Sequence, residues 1–251
     1  MRSGTLQSNT CVVPLIPEVT KLMRRKGEYE RARLVQWRRK VCEVRVRRFI
    51  STFFAISLGL NLAACGSSTQ ELIGFVPVNK SVASVKATEA TPEGETNEYS
   101  FVPAAGDVLV VYFGYTQCPD LCPTTMTAVR AAKKKIGAEL AARVDLAMVT
   151  VDRERDTGAI LTKYLSSFAE RNHALIPRDD KELNDLKTAF QVSSSVTTNA
   201  EGKVEVTHSG TAYVVGQTGD VLVEWPFGLQ AEDMAHDLRI ILNRLGEETK
   251  Q

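Results

Sequence analysis

Hydrophobic positions change period several times along this 251-residue chain, and each change predicts an element. Residues 108–113 (VLVVYF) form a continuous apolar run rich in β-branched and aromatic side chains, as a strand buried on both faces requires. After a turn over residues 114–123, Met126, Val129, Ile136 and Leu140 recur at helical spacing, with Thr124 or Thr125 able to cap the helix and Lys133, Lys134 and Lys135 on its solvated face. Residues 144–151 (VDLAMVTV) read as a second buried strand. A helix follows, with Ile160, Leu161, Tyr164, Leu165 and Phe168 on one face. Another helix fits residues 181–190, with Leu183, Leu186 and Phe190 inward. Residues 211–215 and 221–225 are two strand runs joined by a Gly-containing link, the pattern of a hairpin. The last helix spans residues 231–245 on Met234, Leu238, Ile241 and Leu245.

Strand, helix, strand with short connections is a βαβ unit, so part of the sheet is parallel. The whole order predicts an α/β, thioredoxin-like fold: a central mixed sheet flanked by helices, with an inserted loop or hairpin before the last β-hairpin. The insertion covers residues 191–208 and ends on a histidine.

The N-terminal part reads differently. Arg45, Arg47 and Arg48 precede an uncharged apolar run, residues 49–64, too short to span a bilayer comfortably, and then Cys65-Gly66-Ser67-Ser68. This is similar to the lipobox of bacterial lipoproteins, in which the chain is cut before the cysteine and the cysteine is acylated; more than one acyl chain gives stable anchoring. The expected division is residues 1–43 as an extension outside the mature protein, 44–64 as a lipoprotein signal peptide, 65–105 as a polar tether with a short hairpin near residues 72–78, and 106–247 as the folded domain. Cys65 is the expected lipidation site, which places the protein on the outer face of the cytoplasmic membrane. Cys11 and Cys42 suggest no chemistry.

Composition sharpens this. The formal net charge is +1, but residues 1–50 hold 13 of the 31 Lys and Arg against 4 of the 30 Asp and Glu. The remainder is acidic, 18 against 26, and offers nothing to neutralise phosphates, so nucleic acid is excluded as a partner. Five cysteines are too few for a disulfide scaffold, and three histidines leave little choice for a His-dependent site.

Cys118 and Cys122 stand at the junction of the first buried strand and its helix. Three intervening residues leave both sulfurs on one side of a turn, able to share a metal or close as a disulfide. The positive end of the helix is expected to favour thiolate. Two soft thiolates with an imidazole suit copper, Cu(I) in particular. Taken alone, such a pair fits a structural disulfide equally well, and His208 alone fits a surface histidine. His173 and His236 are expected to face solvent. Structural zinc is disfavoured, because closed zinc sites use four protein ligands.

Cys118-Pro119-Asp120-Leu121-Cys122-Pro123, then Asp152 and Asp156 in VDRERDT, then His208-Ser209 before a strand, together resemble the Sco/SenC family of copper-binding assembly factors for cytochrome c oxidase. The resemblance runs from about Leu109 to the last helix. It implies one copper ion, Cu(I) or Cu(II), held by Cys118, Cys122 and His208 and delivered to the CuA centre of cytochrome c oxidase subunit II, with a copper donor and a thiol reductant as further partners. It also implies that the cysteine pair is redox-active, which leaves a rival function: a thiol–disulfide oxidoreductase keeping the oxidase's copper-ligand cysteines reduced. No other enzymatic activity is expected. Asp152 and Asp156 match an acidic motif near the site. The chain departs from the pattern at Arg153, where the family usually has Pro, and at Gly158, so that loop is expected to be looser.

Overall fold

The computed structural model describes residues 71–248, within a compact unit of residues 69–251. The expectations for residues 1–43, the signal peptide and Cys65 fall outside the described residues.

The sheet is built around β3 (Val108–Gly114), in which every residue is buried. It pairs in parallel with β4 (Val144–Thr150), Val111 opposite Ala147, and β4 pairs in parallel with β5 (Asn172–Leu175). On its other side β3 pairs antiparallel with β8 (Ala212–Val215), and β8 with β9 (Val221–Trp225). A hairpin of β1 (Lys86–Ala90) and β2 (Thr96–Ser100) completes the seven-stranded order β2-β1-β5-β4-β3-β8-β9. A separate two-stranded hairpin, β6 (Ser194–Thr198) and β7 (Val204–His208), occupies the predicted insertion.

The helices are α1 (Leu121–Lys135), α2 (Ala138–Ala141), α3 (Gly158–Ser166), α4 (Asp180–Phe190) and α5 (Ala231–Glu248). Helix α1 packs on α5, α3 on β5, and α4 touches β1. One hydrophobic core joins β3, β4 and β8 with Met126, Leu161, Leu186, Phe190 and Leu238. This is the expected mixed sheet flanked by helices.

Several details differ from expectation. Strand β5 was not predicted: in NHAL only Ala174 and Leu175 are buried, too short an apolar signal to register. The expected helix to Leu140 breaks after Lys135, since Gly137 adopts φ 87°, and Leu140 falls on α2. Neither Thr124 nor Thr125 caps α1. Asp120 holds the N-cap position and makes no side-chain cap bond, whereas Thr157 and Asp179 do cap α3 and α4. Lys133 folds inward to donate to the Val144 carbonyl, and Ile160 is exposed.

The folded body also begins earlier than residue 106. Residues 72–78 form no hairpin; Phe75 exchanges backbone hydrogen bonds of 2.9 and 2.8 Å with Glu224 on the outer edge of β9. The buried Asp237 carboxylate fixes this segment by accepting from Ile73 N (2.7 Å), Gly74 N (3.0 Å) and Trp225 Nε1 (3.0 Å). Lys80 Nζ donates to Glu224 Oε1 (2.7 Å) and to the Phe190 carbonyl (2.6 Å). The polar composition that reads as tether is what a covering segment and an edge hairpin need, since each buries only one side.

Candidate metal centre

The Cys118 loop leaves the buried end of β3. Gly114 is required there: a Cβ at this position would lie 2.7 Å from Cys122 Sγ and 2.8 Å from Met148 Cε. The chain turns with Cys118 N donating to the Tyr115 carbonyl (3.2 Å), then enters α1, whose Cys122 N points at Cys118 Sγ (3.4 Å). Cys118 is 8% exposed and Cys122 fully buried, and both are free thiols.

The third group comes from the inserted hairpin. Strand β7 ends on His208, whose Nε2 lies 3.7 Å from Cys118 Sγ and 3.5 Å from Cys122 Sγ. Its Nδ1 is 3.0 Å from the Ser209 carbonyl, which can only accept, so Nδ1 carries the proton and Nε2 turns its lone pair to the sulfurs. Tyr112 and Tyr115 set their rings edge-on to the imidazole at 5.9 and 5.8 Å. Burial pushes the His208 pKa down, keeping the ring neutral and fit to bind a metal.

The three candidate ligand atoms lie within 4.8 Å of one another, and among the described residues no other group of three Cys, His, Asp or Glu converges in this way. Thiolate and imidazole bonds of about 2.3 and 2.0 Å, at angles between tetrahedral and trigonal, put sulfur and nitrogen about 3.5 to 3.7 Å apart. The two observed sulfur–nitrogen separations match. The site therefore fits a soft ion with three protein ligands and little rearrangement.

One expectation is reversed. Burial, the largest influence, drives the Cys122 thiol well above its ordinary range, whereas the helix end was expected to favour thiolate. The partial charge of a helix terminus is outweighed by complete removal from water. A bound cation is what makes thiolate stable at that depth, since a coordinating thiol is deprotonated outright.

Asp152 and Asp156 are both buried and lie outside the ligand set. Asp156 accepts from Thr116 N (3.2 Å), the Thr116 hydroxyl and Thr150 Oγ1 (2.6 Å), tying the cysteine loop to the end of β4. Asp152 pairs with Arg155, which also bonds Gln117 Oε1 (3.0 Å). The loop is thus well anchored, not looser as Arg153 and Gly158 led one to expect. His173 is not solvent-facing: it reaches Glu89 at 2.7 Å. His236 is half-buried, its Nε2 3.1 Å from the Glu71 carbonyl. Sequence reasoning passed over the supporting roles of Gly114, Tyr112, Tyr115 and Ser209, which rest on contacts across the fold that no local pattern marks.

The pattern that defines the SCO1/SenC family matches residues 94–243, more than half of the chain. The chain belongs to the SCO1/SenC family. Among its relatives, a protein of Stutzerimonas stutzeri named for copper binding is 32% identical over 112 residues, covering 45% of this chain and 54% of that one. The mitochondrial SCO1 homolog 1 of Arabidopsis thaliana is 28% identical over 110 residues, covering 44% and 33%. The matched region thus spans only part of these relatives' lengths. Among solved structures, copper-bound ScoI of Bradyrhizobium japonicum superposes with a TM-score of 0.52 at 25% identity, covering 61% of this chain and 96% of that one. Apo Sco1 of Thermus thermophilus gives 0.55 at 23% identity, covering 72% and 99%, and shares the fold.

Proposed function

We propose that this SCO1/SenC chain is a copper carrier that binds one ion through Cys118, Cys122 and His208 and passes it to the CuA centre of cytochrome c oxidase subunit II. The observation that carries this is the convergence of two buried thiols and a neutral imidazole at separations suited to one soft ion. A relative named for copper binding and a copper-bound neighbour of the same fold support the choice of metal.

Delivery is a ligand exchange. Bonds from copper to Cys118, Cys122 and His208 break as bonds to the acceptor's ligands form, and the ion keeps its oxidation state. Protons displaced from the acceptor's thiols are balanced by protons taken up at Cys118 and Cys122. An acylated Cys65 would hold carrier and acceptor on one membrane surface and raise their effective concentration. A copper donor reloads the dithiol, and a thiol reductant is needed only where the pair has been oxidised to the disulfide.

The rival role is dithiol chemistry on the oxidase's own cysteines, and the closeness of the two sulfurs favours keeping it in view. Incubating the copper-loaded full chain with apo-subunit II tests the proposal. The carrier predicts CuA formation by the native chain and little by His208→Ala; a reductase predicts that His208→Ala restores reduced acceptor thiols as well as the native chain does.

A further inference from the structure

Both sulfurs are buried, so an acceptor reaches the ion only by lying against the surface that surrounds them. That surface is apolar on one side. Phe227, in the loop between β9 and α5, is 49% exposed although it is a large aromatic side chain. Gly210, two residues after His208, lies between it and the cysteine loop: a Cβ on Gly210 would fall 2.8 Å from Leu121 Cδ2 and 2.9 Å from Phe227 Cβ. Leu121, itself half-buried, is the residue before Cys122, and Pro119, the residue after Cys118, is exposed. Phe227, Leu121 and Pro119 therefore adjoin the segments carrying all three candidate ligands. Asp120 is exposed in the same loop and, among the described residues, faces no cation at ion-pair distance.

We propose that Phe227, with Leu121 and Pro119, is the contact by which the metal-accepting polypeptide docks, and that Asp120 receives a basic side chain of that partner. This rests on the carrier reading above and adds the recognition surface to it. The partner face is an apolar patch next to its own metal ligands, flanked by a Lys or Arg. An exposed aromatic anchor within a polar rim is the usual form of an energetic hot spot. Glycine at 210 serves the same end, since a side chain there would force Phe227 away from Leu121.

The test is the rate of copper transfer from the full chain to the soluble copper-accepting domain of subunit II, measured against acceptor concentration, for the native chain, Phe227→Ser and Asp120→Lys. Phe227 is no ligand, so copper affinity stays at the native value, which also reports that the variant is folded. The expected result is a rise of about tenfold or more in the half-saturating acceptor concentration for Phe227→Ser, and a smaller rise for Asp120→Lys that is lost at high salt. Native saturation behaviour in Phe227→Ser, while the native chain delivers copper, overturns the docking proposal. Failure of the native chain itself to deliver copper overturns the carrier reading instead, so the two failures are distinct.

Discussion

At the scale of single residues, the site depends on small clearances and on hydrogen bonds to groups that are not ligands. Gly114 has no room for a methyl beside Cys122 Sγ and Met148 Cε. Gly114→Ala is expected to cost about 1–3 kcal/mol, the usual penalty of overpacking, and to weaken copper binding by displacing Cys122; thermal melts and copper titration read the two effects. Asp156 gathers Thr116 and Thr150, and removing it leaves buried donors unsatisfied at about 1–3 kcal/mol. Asp156→Ala should therefore lower the melting temperature and speed amide exchange at Thr116. The candidate ligands were readable at this scale because cysteine and histidine are scarce and sit in a distinctive string. Gly114 and Ser209 were not readable as supports, because their roles depend on which residue lies opposite in space; Asp156 was marked only as part of an acidic motif near the site.

At the scale of elements, the long apolar runs of β3 and β4 and the amphipathic pattern of α5 were legible because burial on a whole face leaves a periodic trace. Strand β5 was not, since only two of its four residues are buried, nor was the β1–β2 hairpin, which lies at the sheet edge and is held largely by polar contacts. His173 on β5 shows how. It bonds Glu89 on β1 at 2.7 Å and lies 3.7 Å from Asp145 on β4, with Arg171 and Asp107 adjoining. Burial alone would lower its pKa, but the Asp145 and Glu89 carboxylates outweigh that and raise it above the ordinary 6.5. A raised folded pKa means that the stabilisation is fully present below the unfolded value and is lost as pH rises through the folded one. The native chain should thus lose melting temperature relative to His173→Gln as pH rises above about 6.5; parallel curves for the two would contradict this. Asp237→Ala, which strands two backbone amides and the Trp225 indole, should release residues 71–75 and cost about 3 kcal/mol. Proteolysis near Gly74 checks it.

At the scale of the molecule, the fold brings together two segments about ninety residues apart in sequence, the cysteine loop and the end of β7. The hairpin carrying His208 forms its own two-stranded sheet, apart from the seven-stranded one that positions the thiols. That division suits a carrier: a fixed pair of sulfurs and an imidazole on a separate arm give a coordination shell that can open on one side. The most direct measurement is copper titration of the reduced full chain and of His208→Ala, with the bound ligands read by spectroscopy. The account predicts one ion per native chain with two sulfurs and one nitrogen, and an affinity lower by about a hundredfold or more in the variant, in which the nitrogen signature is lost. An unchanged affinity and ligand signature in His208→Ala would contradict it.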